Sequence, residues 1–125
     1  QDEIVFDGAS FVLNGDAGVM HQLPDWDEAI VDTHWSCEDG KWTCAPGEIH
    51  QLDDHPADIY NAMILGLRDY VNRNRFPGVI LGLSGGIDSA LSAAVAVDAL
   101  GADRVWNVMM PSRFTSQESL DDARG

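Results

Sequence analysis

The second half of the chain reads as the opening of a doubly wound α/β sheet with parallel strands. Three observations predict it. The hydrophobic pattern recurs at helical spacing from Pro56 and then changes to a short, nearly all-apolar run at Gly78–Leu83. That run passes through a glycine loop into an Ala-, Leu- and Val-rich segment of helical length. A second apolar run, Arg104–Met110, then repeats the strand signal. Helix, strand, loop, helix, strand, loop, helix is the order such sheets follow. The first half has a different grain, short and hairpin-rich.

Residues 3–13 carry Ile4, Phe6, Phe11, Val12 and Leu13 in a strand-like pattern, and Asn14-Gly15-Asp16-Ala17-Gly18 is a turn. Val19 to Leu23 supplies the return strand, and Glu28–Asp32 is a further short strand candidate. Residues 34–54, with Gly40, Pro46, Gly47, both cysteines and many acids, lose the pattern and read as a linker or inter-domain loop, or else as an insertion within one domain. In the next segment Ile59, Met63, Leu67 and Val71 recur with Tyr60, Ile64 and Tyr70 beside them, so Tyr60 and Met63 are expected in a helix core. Asp54 or His55 precedes Pro56, which suits a first helical turn. Arg68, Arg73 and Arg75 sit late, where cations favour the helix dipole, and Phe76-Pro77-Gly78 stops the helix. Gly78–Leu83 suits a strand buried on both faces. Gly101 ends the following helix, Pro111 ends the next strand, and Thr115-Ser116-Gln117-Glu118 fits a capping box.

The chain has 125 residues, starts without methionine at Gln1 and stops at Gly125 inside a newly begun helix, so both ends read as cuts in a longer protein. Its hydrophobic content of 45% is that of a globular protein. No apolar run approaches the roughly 20 residues of a membrane span. The formal charge of −14 is concentrated: residues 1–55 hold 13 acids against one base, Lys41, while residues 56–125 hold 8 acids against 6 arginines. Such a surface repels nucleic-acid phosphates. Cys37 and Cys44 fit neither a redox pair nor a zinc knuckle. His34, His50 and His55 nearby would allow a metal site, but the irregular spacing favours reduced, unpaired thiols and exposed imidazoles.

The chemistry lies in Gly82-Leu83-Ser84-Gly85-Gly86-Ile87-Asp88-Ser89, where a strand hands over to a helix. Free backbone N–H groups and the positive end of the helix dipole meet there. Gly85 and Gly86 let an anion come close, and the Ser84 and Ser89 hydroxyls can donate to phosphate oxygens. Asp88 would repel phosphate unless a cation intervened, which points to Mg²⁺ held between Asp88 and the phosphates. The kinase-type phosphate loop needs a lysine that this segment lacks, and the glycines at 82, 85 and 86 do not fit a dinucleotide fingerprint. A plain turn with Asp88 as helix cap is the structural alternative.

Ser84-Gly85-Gly86-Ile87-Asp88-Ser89 resembles the signature of the N-type ATP pyrophosphatases, whose members cleave ATP between its α and β phosphates and make an adenylate. The resemblance implies an adenine nucleotide alpha hydrolase-like sheet. It also implies ATP binding by Gly82 to Ser89, with Ser84, Gly85, Gly86 and Ser89 around the leaving pyrophosphate and Asp88 as Mg²⁺ ligand. Met109-Met110-Pro111-Ser112-Arg113-Phe114-Thr115-Ser116, with Ser119 and Asp121-Asp122-Ala123, resembles the segment after the second strand of glutamine-dependent NAD⁺ synthetases. There Ser112, Arg113 and Thr115 are expected to reach nucleotide. Gln1–Phe11 resembles the late hairpin of the nitrilase-like amidase domain, an α/β sandwich, that precedes the synthetase domain in that family.

The resemblance divides the chain into residues 1–33, the end of an amidase domain, a linker at 34–54, and residues 55–125, the start of a synthetase domain. It implies deamido-NAD⁺, ATP, Mg²⁺ and glutamine or ammonia as ligands, a cytoplasmic setting and a homo-oligomer in the full-length protein. The amidase Glu, Lys and Cys would lie before Gln1, so no catalytic residue is assigned here, neither Cys37 nor Cys44 is a nucleophile, and the fragment alone is expected to be inactive. Another amidotransferase of the same loop family, an ammonia-dependent NAD⁺ synthetase or a non-catalytic nucleotide-binding module would share the loop.

Overall fold

The computed structural model describes residues 4–111 and Asp121. They fall into two compact units, one of Val5–Ala62 and one from Met63 onward together with Ile4.

In the first unit β1 (Phe11–Leu13) and β2 (Val19–Gln22) pair antiparallel, with Phe11 opposite Gln22 and a register shift at Val12/Leu13. The expected turn closes them: Ala17 donates its N–H to the Asn14 carbonyl at 2.9 Å, and the Asp16 carboxylate accepts the Gly18 N–H at 3.0 Å. The strand expected at Glu28–Asp32 does not form. Ile30 and Val31 there are exposed, and with no partner strand among the described residues, so short a run gains nothing by extending.

Residues 34–54, expected to lack pattern, hold a second hairpin of β3 (Trp35–Glu38) and β4 (Lys41–Cys44). Its two-residue turn is Asp39-Gly40, with φ of +51° and +78°. Positive φ at both positions is the mirror-image turn that matches strand twist, and Asp-Gly favours it. Trp35 stands opposite Cys44 and Cys37 opposite Trp42, so the thiols occupy diagonal positions on one face of the ladder. Cys37 is exposed and Cys44 is buried, and both thiols are free. Asn14 holds the Cys44 backbone: its Oδ1 accepts the Cys44 N–H at 2.8 Å and its Nδ2 donates to the Cys44 carbonyl at 3.3 Å, tying the two hairpins together. The chain after β4 runs along β2, with Gly47 N–H donated to Met20, Gln22 N–H to Glu48 and His50 N–H to Gln22. Gly47 lies so close to the buried His21 imidazole that a Cβ would overlap the ring.

Helix α1 (Ala57–Arg73) begins in the first unit and ends in the second. Its buried stripe is Ile64, Leu67 and Val71. Ile59 and Met63 stay exposed, so Met63 is not the core residue the sequence suggested, and Tyr60 is half-buried. The helix stops before Pro77 is reached. Phe76 donates its N–H to Val71 and Arg75 to Asn72, the paired 6→1 and 5→2 bonds of a Schellman motif, with Arg75 at φ +57°. The Phe76 and Tyr70 rings meet at 6.0 Å, the apolar contact that accompanies this motif.

Strands β5 (Val79–Leu83) and β6 (Val105–Met109) are parallel, with Val79 beside Val105 and Leu83 beside Met109. Between them runs α2 (Ile87–Leu100), ended as expected at Gly101, whose N–H donates to the Val97 carbonyl at 2.8 Å. Val71, Ala99 and Leu100 form the core, with Ile64, Leu67, Val79 and Val105 packed on it. Arg68 donates from Nε to the Ala99 carbonyl at 3.1 Å, one of the carbonyls a helix end leaves free. Arg104 reaches back to the Phe76 and Pro77 carbonyls and the Asn72 amide oxygen, each at 3.0 Å.

The expectation that β5 is buried on both faces fails. Val79, Leu81 and Leu83 are half-buried, whereas Ile80 on the other face is 73% exposed and its neighbour Trp106 48%. Among the described residues, that second face has no covering layer. No helix among the described residues is long and apolar enough to cross a membrane.

Candidate functional site

The Ser84–Ser89 loop sits at the carboxyl end of β5 and opens α2, the edge at which open α/β sheets bind ligands. Gly85 takes φ +78°, a left-handed turn that suits a residue without Cβ. Gly86 follows at φ −94° and ψ 155° as the helix N-cap, with no side chain capping the helix. Asp88 lies exposed in the first turn of α2 and is not a cap. The first helical bond runs from Ala90 N–H to the Gly86 carbonyl, so the N–H groups of Ile87, Asp88 and Ser89 have no acceptor within the helix. Three donors and the positive end of a 14-residue helix thus converge at an exposed bend.

Inside the bend Ser84 and Ser89 are joined. Their hydroxyl oxygens are 3.1 Å apart, Ser84 donates its backbone N–H to Ser89 Oγ at 3.2 Å, and Ser89 donates its hydroxyl to the Gly86 carbonyl at 2.8 Å. Gly86 N–H points to Ser84 Oγ at 3.4 Å. This network was not foreseen from the sequence; the clue in the sequence was only that two serines flank two glycines at five-residue spacing. Gly82 lies on β5 against the Met110 methyl, one residue before the half-buried Leu83. Parallel pairing brings the end of β6 beside that of β5, so Met110 and Pro111 leave the sheet at the same edge. Ser112, Arg113 and Thr115, and the capping box Thr115–Glu118, lie outside the described residues. Among the described residues no group of three or more His, Cys, Asp or Glu comes together to hold a metal, at Cys37 and Cys44 or elsewhere.

A family model for NAD synthase matches residues 59–125, more than half of the chain, and takes in all but the first two residues of α1, the loop and everything after it. The chain belongs to the NAD synthase family. Among relatives carrying the name glutamine-dependent NAD(+) synthetase, that of Rhodobacter capsulatus is 53% identical over 123 residues and that of Acinetobacter baylyi 44% identical over 128. Both alignments take in 98% of this chain, so they extend beyond the NAD synthase match into the hairpin-rich first half, but the chain spans only 22% of either relative. The solved structure of the glutamine-dependent NAD⁺ synthetase of Acinetobacter baumannii, in complex with ADP, superposes with a TM-score of 0.88 at 45% identity, covering 99% of this chain and 23% of that one.

Proposed function

We propose that this chain is part of a glutamine-dependent NAD⁺ synthetase and that the Ser84–Ser89 loop holds the pyrophosphate end of ATP. The observation that carries the reading is the exposed bend at the carboxyl end of β5, where the N–H groups of Ile87, Asp88 and Ser89 stand free beside Ser84. The ADP complex of the Acinetobacter baumannii enzyme supports an adenine nucleotide as the ligand. The match of the first half to enzymes named as glutamine-dependent favours that form over an ammonia-dependent one.

In this reading residues 1–33 end a nitrilase-like amidase domain, 34–54 link, and 55–125 begin the synthetase domain, whose completed sheet is doubly wound. The amidase releases ammonia from glutamine. The nicotinate carboxylate of deamido-NAD⁺ attacks the α phosphorus of ATP, the bond to the β phosphate breaks, and pyrophosphate leaves. Ammonia then adds to the activated carbonyl and expels AMP, leaving the amide of NAD⁺. Adenylation is required because a carboxylate at neutral pH is a poor electrophile. The loop aids the first step: negative charge grows on the departing pyrophosphate, and pre-aimed N–H donors stabilise it without reorganising. Gly82 and Leu83 bring the strand to this edge, and Ser112, Arg113 and Thr115 are proposed to reach the nucleotide from the neighbouring strand's exit.

Asp88 fits a magnesium site. Mg²⁺ keeps several waters and binds through one or two carboxylates plus phosphate oxygens, so one exposed carboxylate beside the cradle is enough. A bound Mg²⁺ supplies charge neutralisation on the phosphates. The full-length protein is further proposed to be a cytoplasmic homo-oligomer.

The full-length protein, given deamido-NAD⁺, ATP and glutamine, is expected to yield NAD⁺, AMP and pyrophosphate in equal amounts, and xanthylate in place of deamido-NAD⁺ is expected to yield none. Pyrophosphate formed from xanthylate, or ATP bound without any turnover, would contradict the proposal.

A further inference from the structure

We infer that the Ser89 side chain is a positioning group that shapes the loop, and that Ser84 is the only loop hydroxyl given over to the nucleotide phosphates. The inference rests on the reading of this loop as a pyrophosphate cradle. Ser89 Oγ carries one proton. The Gly86 carbonyl at 2.8 Å can only accept, so the proton lies on that line. The Ser84 N–H at 3.2 Å can only donate, and it occupies one lone pair of Ser89 Oγ. The third neighbour, Ser84 Oγ at 3.1 Å, must therefore donate to the remaining lone pair. Every hydrogen-bonding position of the Ser89 hydroxyl is filled within the bend, and the residue is half-buried.

Ser84 differs. It is exposed, and its proton can rotate from Ser89 to a phosphate oxygen while its own oxygen still accepts the Gly86 N–H. Ser89 then keeps its bonds to Ser84 N–H and Gly86 C=O, which join the strand's exit to the helix's first turn. Ser89 thus serves the phosphates through its backbone N–H and through the shape it imposes, not through its hydroxyl.

The test compares Ser89→Ala, Ser89→Thr and Ser84→Ala in the full-length protein, by amide hydrogen exchange without nucleotide and by ATP KM and kcat. In Ser89→Ala the residue 84 amide is expected to exchange about tenfold faster before any ligand is added, the loss of one net hydrogen bond. ATP KM rises by a comparable factor, with kcat changed less. Ser89→Thr restores both the protection and KM. Ser84→Ala weakens ATP binding yet keeps the residue 84 amide protected. Ser89→Cys, which keeps the bulk but weakens the donor, carries the same comparison should the alanine variant not fold. If Ser89→Ala raises KM while ligand-free exchange is unchanged, the hydroxyl contacts phosphate directly and the inference is overturned; no change in either also overturns it. Wild-type protein that shows the exchange pattern but binds no ATP would remove the nucleotide reading and leave the positioning role standing.

Discussion

At Gly85 the backbone turns left-handed, at φ +78°, between Ser84, which follows β5, and the helix cap Gly86. A Cβ in that region costs roughly 1–2 kcal/mol. Gly85→Ala is accordingly expected to lower unfolding stability by about 1 kcal/mol and to weaken ATP binding, read by thermal unfolding and titration calorimetry. Asp88 is a negative side chain in a loop proposed to receive phosphate, and in that reading its value to binding depends on a cation. Asp88→Ala is expected to weaken ATP binding at least about tenfold in magnesium, the scale of one lost charge-assisted contact. In EDTA the same variant is expected to bind ATP no worse than wild type, since a repulsion has been removed. Equal binding by both proteins in magnesium would strip Asp88 of its role. The identities of these residues could be read in advance because Gly82 to Ser89 are consecutive. The proton order between Ser84 and Ser89 could not, since it depends on which neighbours of each oxygen come within 3.2 Å once the bend closes.

Among the elements, α1 shows how a helix end is set by backbone geometry before proline intervenes. Arg75 occupies the left-handed position of its Schellman motif, where glycine is the usual residue. Arg75→Gly is expected to stabilise the protein by about 0.5–1 kcal/mol, measured as a higher Tm, because the Arg75 side chain has no hydrogen bond or ion pair among the described residues to lose, and the backbone bond to Asn72 is kept by glycine. A lower Tm would mean the arginine holds an interaction that outweighs its strain. The late arginines of this region also divide their work. Arg73 pairs with Asp69 one turn back at 2.8 Å, an exposed contact of small weight, whereas Arg68 serves the far end of α2. The second hairpin carried a legible signal, Asp39-Gly40 between Trp35 and Trp42, obscured by the acids and the proline around it.

For the molecule as a whole, the sheet face bearing Ile80, Trp106 and Val108 is the main open feature, with all three exposed among the described residues. The proposed doubly wound sheet places a second helical layer over that face in the full-length protein. Ile80→Asp is then expected to destabilise that protein by about 2–5 kcal/mol, the cost of an unpaired polar group in a packed layer, read by denaturant unfolding. A loss under about 0.5 kcal/mol, typical of surface positions, would show that no layer packs there. Charge is the other whole-molecule property: 13 of the 21 acids lie in residues 1–55, so self-repulsion is concentrated there and is screened by salt.

Neighbours along the chain were enough to establish the glycine bend, the apolar runs of β5 and β6, the stop at Gly101 and the first hairpin's turn, because each depends on residues within one or two turns of chain. Distant partners decided the rest. Asn14 holds Cys44 across 30 residues, Arg68 reaches Ala99 across 31, and Arg104 reaches Asn72 across 32. The side of α1 that is buried, and the face of β5 that stays bare, follow from what packs against them: an apolar residue is drawn inward only where another surface stands ready to exclude its water.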